Sequence, residues 1–229
     1  MALMVEVRAA KKQARTLARA HRRELVESQT AADRVAQGDA LAQSFLTWLR
    51  GYAEALGRSD LSGLTVTAYE EMPTEPPVSG LVRAAQEAGM RVLLPVTILE
   101  TRTLRWVDAA QSAGEHGDGP AGGRPADGSP ADGSPADEGP EALLEVDIAL
   151  IPGLAVDAEG YRLGQGGGFY DRALPIVRPG VPIIVTLHDH ELPGSDTAPV
   201  PDVPHESHDI RVDGVLTSAG VRLLDKPPG

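Results

Sequence analysis

Residues 147–174 read DIALIPGLAVDAEGYRLGQGGGFYDRAL, and their order of residue types sets the architecture. The apolar run from Val146 to Ile151 is too short for a helix and too evenly aliphatic for a surface strand. It predicts a strand buried on both faces. Gly160, Gly164, Gly166, Gly167 and Gly168 follow, and a helix is predicted to begin near Phe169. Glycines at this density let backbone N–H groups approach an anion closely, and the start of a helix adds positive potential at the same place. Arg162 and Arg172 flank the loop, and Asp171 offers a hard oxygen ligand for Mg²⁺. No Gly-Lys-Ser/Thr follows, so this is not a P-loop, and the spacing does not match a dinucleotide fingerprint. On residue types alone a phosphate cradle and a flexible turn both fit.

Working outward, Ile183–Leu187 and Val212–Thr217 are further buried-strand runs, as are Leu64–Tyr69, Arg91–Val96 and Leu104–Val107 upstream. Helical periodicity covers Val7–Val26, Ala31–Leu56 behind Thr30 as N-cap, and Val78–Ala88 before Gly89. Strands alternating with helices predict a single α/β domain built on a largely parallel sheet with helices on both faces. Between them, Ser112 to Glu141 holds no Val, Ile, Leu, Met, Phe, Trp or Tyr and repeats Pro-Ala-Asp-Gly-Ser from Pro125. It is expected to be a disordered insertion, since it has too little apolar surface to offset ordering entropy.

The 229 residues include no Cys, which removes disulfide scaffolds, thiol nucleophiles and thiolate-ligated metals. No run reaches the roughly 18 apolar residues of a membrane span. A soluble, cytoplasmic protein is expected. The formal charge of −12 and a 3% aromatic content argue against a nucleic-acid binder. Positive charge is nevertheless concentrated: Arg8, Lys11, Lys12, Arg15, Arg19, Arg22 and Arg23 fall on one arc of the first helix, with Ala10, Ala14, Leu17, His21 and Leu25 opposite. The apolar side is expected to pack, leaving the cations either as a solvated face or as a holder of polyanions. His188, Asp189, His190, Glu191, His205 and Glu206 read as polar loop residues. The spacing of His205 and His208 is one short of the helical zinc pair.

The 147–174 stretch closely resembles the signature of the 5-formyltetrahydrofolate cyclo-ligase (5,10-methenyltetrahydrofolate synthetase) family. The order of other segments agrees: Lys11-Lys12-Gln13-Ala14-Arg15, Glu71-Met72-Pro73-Thr74, Leu94-Pro95, Trp106, and His208-Asp209-Ile210-Arg211-Val212-Asp213 before Thr217. The resemblance implies a Rossmann-like fold and ATP- and Mg²⁺-dependent conversion of 5-formyltetrahydrofolate, with or without a polyglutamate tail, to 5,10-methenyltetrahydrofolate, ADP and phosphate. By position it implies that Lys11, Lys12, Gln13, Ala14 and Arg15 hold ATP together with Arg162, Leu163, Gly164, Gln165, Gly166, Gly167, Gly168, Phe169 and Tyr170. Val66 and Glu71 would face the folate, with Gln165 to Phe169 between the two substrates, and Asp171 and Asp209 would hold Mg²⁺. The chain departs from the pattern at Gly167, where many relatives carry Lys, at Gln165, where a basic or aromatic residue is common, and at Phe169, where Tyr is usual. These departures leave a second reading, a nucleotide-binding regulatory module of the same fold without turnover.

Overall fold

In the computed structural model, residues 2–112, 138–206 and 209–225 are described. Helices α1 (Ala2–Ser28) and α2 (Ala31–Ala55) lead into strand β1 (Thr65–Thr67), helix α3 (Ser79–Glu87), β2 (Arg91–Ile98), β3 (Thr103–Asp108) and a single turn, α4 (Ala109–Ser112). A 3₁₀ turn at Pro140–Glu145 precedes β4 (Ile148–Pro152), the short strands β5 (Ala155–Val156) and β6 (Arg162–Leu163), and α5 (Phe169–Ala173). The chain ends in β7 (Ile183–Thr186), β8 (Gly214–Thr217) and β9 (Gly220–Leu223).

Seven strands form one sheet in the order β3-β2-β1-β4-β7-β8-β9. The five central strands run parallel, while β3 and β9 lie antiparallel at the two edges. The aliphatic run of β4 alternates as pleating requires: Ile148 and Leu150 join one core cluster, Ala149 and Ile151 the other. Both faces are therefore buried, which is why the strand carries no polar alternation. On the first face α2 contributes Leu41, Phe45, Leu49 and Ala53, a four-residue repeat that lays one stripe on Val66, Val92 and Ile148. Thr30 and Asp33 close a capping box at its start. On the second face the cover is lighter, made by the 3₁₀ turns and α5 against Leu93, Trp106, Val185 and Val215.

Three expectations are corrected. The sequence pattern shows neither the β5–β6 hairpin, whose strands have two residues each, nor the edge strand β9. The predicted insertion is too long at its C-terminal end: Glu138 pairs with Trp106 across β3, and Pro140–Glu145 buries Ala142 and Leu143. Its residues 113–137 lie outside the described residues, as does His208. Finally, α1 is rotated about its axis relative to the expected packing, so that Ala14 still faces inward while Leu17 does not. Leu17 is 45% exposed, while Ala18 and Arg22 are fully buried. The helix packs through Ala14 and Ala18 on Leu154, Ala155 and Leu163 of the hairpin and on Val200 and Val203. Small side chains bring the helix axis close, and the inward face is one edge of the cationic arc.

Candidate functional site

In an open parallel sheet, ligands bind beyond the carboxyl ends of strands where the strand order reverses. Here the chain moves from β1 outward to β2 and then returns to β4 on the other side of β1. The loops leaving β1 (from Ala68), β4 (from Gly153) and β7 (from Leu187) meet at that edge, and α1 crosses it.

Arg22 fixes the helix there. Its Nε and Nη2 donate to the two carboxylate oxygens of Glu191 at 2.7 and 2.8 Å, and Nη2 also reaches the Gly153 carbonyl at 2.6 Å. Both partners of this ion pair are fully buried. Burial alone would depress the Arg22 pKa, but the bidentate bond to Glu191 more than offsets it and the pKa is raised. Beside it, His188 accepts from Gln37 Nε2 at Nδ1 (2.9 Å) and donates from Nε2 to the Thr74 carbonyl (3.1 Å). That tautomer is neutral, and burial pushes the imidazole down to about 4 despite the nearby Glu191 carboxylate. His188 and Glu191, expected in a polar loop, are instead interior anchors that tie α1, α2 and the loops after β1 and β7 together.

The hairpin β5–β6 presents the glycine loop to α1. Arg15 Nε donates to the Gly164 carbonyl at 2.9 Å, and Arg19 grips Gln165 through its side-chain and backbone oxygens at 2.9 and 2.8 Å. Gly166 has φ of +99°, which favours glycine, and a Cβ there would press on the Arg15 guanidinium at 3.2 Å. At Gly167 a Cβ would fall 2.5 Å from the Phe169 ring, which occupies the volume a side chain would need. Arg162 lies beneath, donating to the Pro152 carbonyl and to Asp171 Oδ1, each at 3.0 Å, with its guanidinium over the Tyr170 ring. Burial lowers its pKa from the ordinary arginine value, and Asp171 opposes the shift.

Of the other expected residues, Ala14 and Leu163 are packing contacts between helix and hairpin, and Lys12 and Gln13 point to solvent. Lys11 Nζ pairs with Asp209 Oδ2 at 2.6 Å and lies 3.9 Å from Glu206. Asp171 and Asp209 both act electrostatically on Arg15 and Arg162, so the two acids border the same cationic loop. Among the described residues no three His, Asp or Glu side chains converge as a self-contained metal cage. Val66 does not open to the crevice; it is fully buried in the core beneath α2 and α3. Glu71 is half-buried and makes no hydrogen bond to any described residue, whereas Glu75, four residues on, is 3% exposed and accepts from Gln165 Nε2 at 2.9 Å and from the Met72 N–H at 3.1 Å. Glu75 was not expected from sequence, where it stands in a row of exposed-looking loop acids. A separate open cavity of about 660 Å³, lined by residues including Trp48, Tyr52, Pro182 and Leu223, contains none of the motif residues.

The model of the 5-formyltetrahydrofolate cyclo-ligase family matches residues 6–218. A curated 5-formyltetrahydrofolate cyclo-ligase from Mycolicibacterium smegmatis is 32% identical over 211 residues, covering 90% of this chain and 93% of that protein. Among solved structures, the 5,10-methenyltetrahydrofolate synthetase of Aquifex aeolicus aligns at a TM-score of 0.59 with 23% identity, over 96% of this chain and 95% of its own. That of Mycoplasma pneumoniae aligns at 0.59 with 16% identity, over 93% and 98%. These two likenesses show the fold, and the family match extends through α1, the glycine loop and β8. The chain belongs to the 5-formyltetrahydrofolate cyclo-ligase family, a family of ligases.

Proposed function

We propose that the protein uses ATP to cyclise 5-formyltetrahydrofolate to 5,10-methenyltetrahydrofolate, releasing ADP and phosphate. The observation that carries this is the convergence of Arg15, Arg19 and Arg162 on one glycine loop at the reversal of strand order, in a chain of this family.

The chemistry needs such a site and little else. The N5-formyl group is an amide, too weak an electrophile for N10, and its oxygen is a poor leaving group. Its oxygen attacks the γ-phosphorus and ADP leaves. N10 then attacks the activated carbon, phosphate departs with the C–O bond, and N10 loses its proton to give the amidinium product. Phosphoryl transfer asks the protein for positioning and charge neutralisation. Arg15 and Arg162 provide cations that are already oriented, by the Gly164 and Pro152 carbonyls respectively. Loop N–H groups can face phosphate oxygens because Gly166, Gly167 and Gly168 carry no side chains. Asp171 and Asp209 border the same cationic loop, and they would hold Mg²⁺, which would neutralise charge on the transferring phosphoryl group. Lys11 pairs with Asp209 and Arg162 with Asp171, which fixes where the two acids sit. No side-chain nucleophile is required.

The test is absorbance at the methenyl-folate band after mixing protein, Mg²⁺, ATP and 5-formyltetrahydrofolate. Growth of the band only with ATP is the expected result. ATP binding without growth would replace the ligase with a nucleotide-binding module, the reading that Gly167, Gln165 and Phe169 would then favour.

A further inference from the structure

The glycine loop hangs on one side chain. Between Leu163 and Phe169 only Gln165 has one, the other four positions being glycine. Backbone hydrogen bonds between described residues, outside helices and strands, include none from residues 164–167. A stretch of this composition has many conformations to lose when a ligand orders it. Its position is therefore set by the groups that grip it from outside, and the Gln165 amide lies between two of them. Arg19 Nη2 donates to the Gln165 carbonyl at 2.8 Å and to Oε1 at 2.9 Å, while Gln165 Nε2 donates to Glu75 Oε1 at 2.9 Å. Both ends of this bridge are anchored. Arg19 stands one turn before Arg22, whose buried pairing with Glu191 fixes α1. Glu75 is held by its carbonyl on Arg34 of α2, at 3.3 Å, and by two bonds to the backbone of Met72, its N–H donating at 2.8 Å and its carboxylate accepting at 3.1 Å. A neutral amide suits this place: its oxygen meets a cation and its nitrogen a carboxylate. A basic side chain would repel Arg19, and an acidic one would repel Glu75.

We propose that Gln165 is a positioning residue that couples the binding of the two substrates, by tying the glycine loop to the loop after β1 so that a ligand ordering either loop prepares the other. This rests on the cyclo-ligase reading, in which the glycine loop faces the nucleotide and the loop after β1 faces the folate. A ligand that must order a segment loses part of its binding free energy in doing so, and a second ligand that meets the segment already ordered binds more tightly. The effect is the same in both directions. The bridge also has a bearing on the chemical step, since the formyl oxygen reaches the γ-phosphorus only if the two loops are in register.

The experiment is calorimetric titration of the full chain with a non-hydrolysable ATP analogue, in the absence and in the presence of saturating 5-formyltetrahydrofolate. The ratio of the two dissociation constants measures the coupling. In wild type the folate is expected to tighten analogue binding about fivefold or more, the usual range for coupled sites. Gln165→Met keeps length and charge but loses both side-chain bonds, and its ratio is expected to fall to within twofold of one, with kcat lowered about tenfold. A role in stability alone would shift Tm and leave the ratio as in wild type, so an unchanged ratio in Gln165→Met overturns the proposal. A polarity swap gives the second arm. Gln165→Glu sets two carboxylates against each other and is expected to lose the coupling; adding Glu75→Gln lets the new amide donate to residue 165 while its oxygen still accepts from Met72, and is expected to restore it. Failure of the swap to restore any coupling overturns the proposal even if Gln165→Met does not fold. Wild type with a ratio near one overturns the proposal alone, whereas wild type that binds the analogue but never 5-formyltetrahydrofolate overturns it together with the cyclo-ligase reading.

Discussion

Arg162 braces the Pro152 carbonyl and Asp171 and, in the proposed function, faces phosphate. Arg162→Ala is expected to raise KM for ATP and lower kcat, with kcat/KM falling roughly 10- to 100-fold, the range for a lost charge-assisted hydrogen bond; unchanged kinetics would remove it from the site. Gly167→Lys, which restores the cation many relatives carry, is expected to give no gain in ATP affinity, because the Phe169 ring occupies the needed space. A lower KM for ATP in that variant would show that the ring moves freely. His188 sets a dependence on pH. Its folded pKa of about 4 lies below the ordinary 6.5, so the unfolded chain takes up the proton first and stability falls as pH drops from about 6.5 towards 4. Between pH 7 and pH 5 this amounts to roughly 2 kcal/mol from this residue. Urea unfolding at the two pH values is expected to show the loss in wild type and a smaller one in His188→Gln. The residues themselves were legible in uneven measure. The glycine loop and Arg15 could be found because their chemistry is written in consecutive letters. Glu75, His188 and Glu191 could not, because only tertiary contact distinguishes a buried acid or imidazole from neighbours such as Glu71 and Asp189.

Among the elements, the strands of the sheet and α2 were the easiest to anticipate, since two-sided burial and a four-residue stripe leave direct marks in the sequence. The β5–β6 hairpin was hidden because two-residue strands have no period. The orientation of α1 was misjudged for an instructive reason: amphipathicity assumes that the apolar side faces inward, and here Arg22 finds a buried carboxylate and a carbonyl, so the cationic edge wins. Glu191→Ala should therefore cost about 3–5 kcal/mol, by leaving the Arg22 guanidinium buried without its carboxylate. Thermal unfolding would check it, and a change in Tm of a degree or less would mean that Arg22 swings out to water. The segment 113–137 stands between α4 and the Glu138–Trp106 pairing. Replacing it with a short Gly/Ser link is expected to preserve Tm and kcat, since shortening a connection changes closure entropy by little. Loss of activity with the fold retained would give the repeats a part in the reaction.

For the whole molecule, the sheet and its two cores form a body to which α1 is joined chiefly through Ala14, Ala18 and charged bonds. Hydrogen exchange is expected to rank accordingly, with α1 amides opening at lower free energy than those of β4 and β7; equal protection would show one cooperative unit. The same join has a bearing on biosynthesis. Glu191 follows Arg22 by 169 residues, so at about 5–20 residues per second a ribosome keeps the helix waiting roughly ten to thirty seconds for its counter-ion. During that interval the nascent helix has no seat, and seven like charges keep it hydrated and apart from its neighbours. The cations that later face the glycine loop thus first serve as a solubilising escort for a segment that is translated well before it can dock.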